Sequence, residues 1–145
     1  IGVKWPNDLM IGDRKLGGII CEAGPKALLV GFGINVGREA IPEELADRAI
    51  SLGIEVDGGA RDPRLRLLEL GLLRIHEVLG AAEWKEAIEG RLWKLGGEIS
   101  VFAGAPDKAP PRSFRLLGID ETGGLRVLDE AGAPLCLRSA EISIR

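Results

Sequence analysis

The sequence is poor in several residue types that would announce a function. It holds two cysteines, one histidine and one methionine in 145 residues. Cys21 and Cys136 are far apart, and each lies in an apolar stretch, Ile19-Ile20-Cys21 and Leu135-Cys136-Leu137. Disulfide scaffolds carry more cysteine in a less apolar chain. Both thiols are therefore expected to be reduced and buried. There is no Cys-x-x-Cys pair, and His76 stands alone in a helical stretch, so no zinc site is expected. Long hydrophobic runs are missing too. The longest, Ala27 to Ile34, falls far short of the roughly 20 residues of a spanning helix. No signal peptide opens the chain. A soluble, cytoplasmic protein without membrane partners is the expectation. Basic charge is not in excess: 19 basic residues against 22 acidic give a net charge of −3. Neither the part before residue 96 nor the part after it is basic, which argues against a nucleic-acid-binding face. Finally, no methionine begins the chain. It opens Ile1-Gly2-Val3-Lys4 with an apolar run already under way and reads as the continuation of something.

What is present is a folded composition, 46% apolar and 28% charged, with 21 glycines. The glycines follow no Gly-X-Y period, so each is read locally. Residues 1–36 read as strands joined by tight turns. Leu9-Met10-Ile11 and the run Lys15 to Cys21 flank a hairpin turn at Gly12-Asp13-Arg14. Ala27 to Ile34 is apolar on both faces and reads as a central strand. Pro42 to Leu52 fits a short helix, with Leu45, Ala49 and Leu52 on one face. A strong helix is expected after Asp62 as N-cap and Pro63 at the first position. Its stripe would be Leu65, Leu68, Leu72, Ile75 and Leu79, and its stop Gly80. A second helix is expected from about Glu83 to Leu95, with Trp84, Ile88, Leu92 and Leu95 aligned. From residue 98 the period becomes strand-like. Five short strands are expected, at Glu98–Ala103, Ser113–Ile119, Leu125–Leu128, Leu135–Arg138 and Glu141–Ile144, in a small barrel.

Three blocks occur in order: Lys4-Trp5-Pro6-Asn7-Asp8-Leu9; then Arg14-Lys15-Leu16-Gly17-Gly18-Ile19 with Glu22; then Gly31-Phe32-Gly33-Ile34-Asn35-Val36. This ordered set resembles the biotin protein ligases, the biotin–[acetyl-CoA-carboxylase] ligases. Ser139-Ala140-Glu141-Ile142-Ser143 is similar to part of that family's small SH3-like domain. The resemblance implies an α/β (α+β) fold. Residues 1–95 would be the C-terminal portion of a catalytic domain, a partial class II synthetase-like mixed sheet with helices. Residues 96–145 would be an SH3-like β-barrel. Family members carry a Gly-Arg-Gly-rich loop upstream of the first block, and this sequence holds no such segment. Smaller departures are Gly17 where Ala is frequent, Gly37 where Asn is common and Ala140 where Gly is common.

The resemblance implies a two-step reaction. The biotin carboxylate attacks the α-phosphorus of ATP, giving biotinyl-5′-AMP and pyrophosphate. A lysine amine of a biotin carboxyl carrier protein domain then attacks the acyl carbon and releases AMP. Both steps move negative charge on oxygens, so a fixed cation is what catalysis needs. By resemblance Lys15 is that cation, contacting the biotin carboxyl and the α-phosphate. Read locally, it is as well a solvated lysine after a turn. Lys4 would face the triphosphate, or serve as an edge-strand charge. Asn7 and Asn35 would meet the adenine, since an amide both donates and accepts. Asp8 would help hold Mg²⁺ with the phosphates, or cap a turn. Gly18 beside biotin and Gly33 beside the nucleotide are positions where a ligand can approach the backbone. Glu22 belongs to the pattern without an assigned role. Trp5 reads as core or wall, and His76 and Trp84 as scaffold.

Two other readings stay open: a lipoate or octanoyl transferase relative, and a non-catalytic binding fragment that keeps half a site. The Lys-Trp-Pro-Asn-Asp block followed by a small barrel favours biotin. A Gly-Arg-Gly-rich loop in the upstream reading frame would support the enzyme; a start codon just before Ile1 would support the binding fragment. Alone, the 145 residues are expected to be inactive. Some members of the family bind DNA through an upstream domain, on which these residues are silent. Family members often pair through this sheet, so a homodimer is a possible state.

Overall fold

A computed structural model describes residues 1–54, 62–102, 110–138 and 141–143, with only the backbone described at His76 and at residues 141–143. In chain order the strands are β1 (Gly2–Lys4), β2 (Asp8–Ile11), β3 (Arg14–Ala23) and β4 (Leu28–Ile34). Helices α1 (Pro63–Val78) and α2 (Trp84–Glu89) follow, and then β5 (Glu98–Phe102), β6 (Arg112–Ile119), β7 (Leu125–Leu128), β8 (Pro134–Leu137) and β9 (Glu141–Ser143). Contacts group the chain into two units. One is Ile1 with Asn7–Trp84; the other is Gly2–Pro6 with Lys85–Arg145.

In the first unit, β2, β3 and β4 form an antiparallel meander. The turn between β2 and β3 is the expected hairpin, with Gly12 at φ 58° where a side chain would be strained. A bulge follows: Leu9 faces Gly17 while Met10 faces Lys15, so Leu16 is the extra residue. Met10 and Leu16 are the fully buried side chains at this point. The strand pairs described within this unit are antiparallel. A parallel bridge joins Lys15 and Ala49.

That bridge explains why Pro42–Leu52 is not a helix. Only a 3-10 turn forms, at Glu43–Leu45. The chain then extends: Lys15 N–H donates to Arg48 O (2.8 Å), Ile50 N–H to Lys15 O (2.9 Å) and Leu52 N–H to Asn35 O (2.9 Å). Backbone pairing with the sheet outweighs a short, weak helical pattern.

Helix α1 starts and stops as the sequence indicates. Asp62 accepts from Arg64 N–H at 2.9 Å, Pro63 begins the helix and Gly80 follows it at φ 86°. Its sheet-facing side matches the expected stripe only at Ile75, however. Leu65, Leu72 and Leu79 are about 60% exposed. The more covered positions are Leu67, Gly71 and Ile75. A methyl added at Gly71 would lie 3.2 Å from the Phe32 ring, so this glycine is where helix and sheet meet most closely. β4 is likewise not central. Among the described residues its one strand neighbour is β3, and Leu28 and Leu29 are 48% and 66% exposed. An unbroken apolar run signals that both faces want cover; it does not count the neighbours.

In the second unit, α2 is six residues long rather than thirteen. Beyond it the chain turns at Gly90 to bring Leu92 into a bridge with Val3: Val3 N–H donates to Arg91 O (2.7 Å) and Trp93 N–H to Val3 O (2.8 Å). The five C-terminal strands form within a residue or two of the expected spans, in the order β8-β7-β6-β5-β9, all antiparallel. Among the described residues the sheet is open, with no pairing between β8 and β9, so barrel closure is not found. Ile99, Val101, Phe114, Leu116, Ile119, Leu125 and Val127 form its core. Ser139, Ala140 and Ile144 lie outside the described residues, as do parts of the turns expected at 57–62 and 106–111. No helix among the described residues is long and apolar enough to cross a membrane.

Candidate functional site

Strand alternation sorts the meander into two faces. Gly17–Ile34, Ile19–Phe32 and Cys21–Val30 pair on the face toward α1. Gly18–Gly33, Ile20–Gly31 and Glu22–Leu29 pair on the other. Three glycines therefore make one stretch of that second face almost bare backbone. A methyl at Gly33 would meet nothing within 4 Å, and one at Gly31 only Ile20 O at 3.9 Å. Beside this floor stand Ile20 and Leu29, both more than 60% exposed. The apolar flank Ile20/Leu29 and the floor glycine Gly31 were not singled out in the sequence; the pairing register identifies them.

At one end of the floor the charged residues gather. Lys15 Nζ lies 2.6 Å from Asp8 Oδ1, with side chains 47% and 16% exposed. A methyl placed on Gly18 would stand 3.3 Å from Asn7 O, 3.4 Å from Asp8 Oδ1 and 3.9 Å from Lys15 Cε. Ile19 N–H donates to Asn7 O at 2.9 Å. Asn7, Asp8, Lys15 and Gly18 thus share one place, and a side chain at Gly18 would fit there only tightly. The Leu16 bulge is what sets Lys15 opposite Met10 and within reach of Asp8.

Gly17 keeps β3 and β4 close: a methyl on it would lie 2.1 Å from Gly33 O, an impossible contact. Asn35 continues from β4. Its N–H donates to Leu16 O (2.9 Å) and its Nδ2 to Ile50 O (3.2 Å). The amide is therefore oriented by the extended segment 49–54, which uses one of its two Nδ2 hydrogens. Lys4 belongs to the second unit, where it is 8% exposed, and Trp5 beside it donates from Nε1 to Gly123 O at 2.8 Å. A cavity of about 440 Å³ lies elsewhere in the first unit, lined by Phe32, Gly33, Val36, Glu39, Arg64 and Leu67 among others. Of the first-unit site candidates only Gly33 borders it, so the charged cluster and this cavity are separate features. No group of three metal-ligating side chains occurs among the described residues.

Neither thiol is buried, against expectation. Cys21 is exposed at the outer half of β3. Cys136 is exposed beside the Asp120–Gly124 turn, where its Sγ donates to Asp120 Oδ2 at 3.2 Å. An apolar sequence neighbourhood does not bury a residue on a strand whose face has no cover.

Comparison with known proteins bears on the same residues. A model of the biotin/lipoate A/B protein ligase family matches residues 1–38, which hold all the strands of the meander. The bifunctional ligase/repressor BirA of Escherichia coli is 38% identical over 154 aligned residues, taking in the whole of this chain and 46% of its own length. The chain is similar to the biotin protein ligases. It spans about half the length of the curated BirA relatives that it matches end to end. The apo biotin protein ligase of Aquifex aeolicus superposes with a TM-score of 0.75 at 34% identity, over 99% of this chain and 65% of that one. The same enzyme in complex with biotin and ATP gives 0.76 at 33%, over 99% and 61%. The α+β fold with its two antiparallel sheets is that of these ligases.

Proposed function

We propose that the protein carrying these residues is an ATP-dependent biotin–protein ligase, and that Lys15 is its central cation. The observation that supports this best is the Lys15 ammonium held by Asp8 beside the backbone of Gly18, at the end of a glycine floor flanked by apolar side chains. Such a surface suits a ligand with an apolar body and a carboxylate at one end, and biotin has that shape. The Lys15 charge offsets the negative charge gathered as the carboxylate attacks the α-phosphorus and pyrophosphate leaves. It serves again when the carrier lysine attacks the acyl carbon and AMP leaves.

Lys4 faces the triphosphate in this reading. Asn7 and Asn35 face the adenine, Gly18 lies beside biotin, and Gly33 beside the nucleotide. Mg²⁺ enters as part of the ATP substrate and needs only one or two protein oxygens. Asp8 is the carboxylate at hand, and the ion then competes with Lys15 for it. The partner is a biotin carboxyl carrier domain, the compartment the cytoplasm, and the oligomeric state a homodimer through the β2–β4 sheet, whose β4 edge is open.

Biotin-dependent ATP–pyrophosphate exchange tests the reading. Exchange that requires biotin, and that octanoate or lipoate does not replace, is the expected result. Exchange driven by octanoate or lipoate and indifferent to biotin would transfer the protein to the other branch of the matched family.

A further inference from the structure

An indole has one polar atom, an N–H donor, and a buried ring needs an acceptor for it. Trp5 is 9% exposed, and its Nε1–H donates to Gly123 O at 2.8 Å, across 118 residues of chain. The acceptor belongs to a braced turn. Asp120 N–H donates to Gly124 O at 2.8 Å and Gly123 N–H to Asp120 O at 3.0 Å. Asp120 Oδ1 accepts from the N–H groups of Thr122 and Gly124, each at 2.8 Å. On the other side of Lys4, Val3 is fixed through both backbone groups to Arg91 and Trp93. Lys4, itself 8% exposed, is thus bracketed by two anchored neighbours within one unit.

We propose that Trp5 is a positioning residue for Lys4: its bond to the β6–β7 turn sets where Lys4 leaves β1, and so where the Lys4 ammonium meets the nucleotide phosphates. This rests on the phosphate role of Lys4 proposed above. The turn at Asp120–Gly124 then serves nucleotide binding without touching the nucleotide.

The test compares KM for ATP and KM for biotin, in biotin-dependent ATP–pyrophosphate exchange, for the protein carrying these residues and its Lys4→Gln, Trp5→Phe and double variants. Lys4→Gln is expected to raise KM for ATP roughly tenfold or more. Trp5→Phe is expected to raise it roughly fivefold, the worth of one hydrogen bond, with KM for biotin and kcat unchanged. The double variant is expected to match Lys4→Gln alone, because two residues acting through one contact do not add. If Lys4→Gln leaves KM for ATP unchanged, the phosphate role of Lys4 fails and takes this proposal with it. If Lys4→Gln raises it while Trp5→Phe does not, or the two effects multiply, the Trp5 proposal alone is overturned. A rise in both Michaelis constants for Trp5→Phe, with a lower melting temperature, would also overturn it. Replacing Trp5 by β-(3-benzothienyl)alanine keeps the ring and removes only the donor, so it decides the matter even if Trp5→Phe folds poorly. A selective ATP shift supports the proposal, and a wild-type KM for ATP contradicts it.

Discussion

Lys15 and Asp8 illustrate what single residues disclose. Both are marked by the ordered motifs, but their contact is not, because it depends on the Leu16 bulge that shifts the register between Lys15 and the start of β2. Asn35 was marked as well, while the Ile50 carbonyl that orients it lies 15 residues on and carries no signal of its own. The thiols are exposed for a related reason: neighbours in sequence are not neighbours across a face. Cys136 is exposed, yet donation to Asp120 pushes its thiol up, with desolvation adding to the effect. It is predicted to react with a disulfide reagent near pH 8 more slowly than glutathione, since the thiolate is the reactive form. Equal or faster reaction would contradict that. Asp120 shifts the opposite way. Hydrogen bonds from Thr122 Oγ1, Cys136 and the turn amides hold its carboxyl well below the usual carboxylate range. A group depressed in the folded state contributes stability that is present above its unfolded value, near 3.9, and lost as pH falls toward the folded one. The melting temperature is therefore predicted to fall between about pH 5 and pH 2, and by less in Asp120→Asn. An identical fall in the variant would remove Asp120 as a source.

Elements were legible where local chemistry is strong. The hairpin at Gly12, the cap at Asp62 and the five C-terminal strands all formed as read, because turn residues and a two-residue period act over short distances. The failures are elements whose fate is settled by distant partners. The 42–52 segment extends to pair with Lys15 and Asn35, and α2 stops short so that Leu92 reaches Val3. Gly17 gives the most direct test at this scale. A side chain there collides with Gly33 O. Gly17→Ala is predicted to force β3 and β4 apart and to cost about 1–3 kcal/mol, the range for overpacking. Urea denaturation measures it; an unchanged midpoint would show that the two strands yield freely.

For the molecule as a whole, sequence established two sheets and their order along the chain, and the ligase relatives share that fold. It did not reveal that β4 is an edge strand among the described residues, nor that Ile20, Leu29, Leu65 and Leu72 stand exposed. Apolar content tells how much cover a surface wants and not where that cover comes from. An uncovered site leaves its charges screened by water. The 145 residues by themselves are accordingly predicted to give no biotin-dependent pyrophosphate exchange, and measurable exchange by this chain alone would contradict that. The role of Lys15 is decided by one comparison: biotin-dependent ATP–pyrophosphate exchange by the protein carrying these residues, wild type against Lys15→Ala. Loss of a fixed cation at the reacting oxygens predicts a fall of roughly 100-fold or more in the variant, with its fold intact by circular dichroism; near-normal exchange in Lys15→Ala would remove Lys15 from that role.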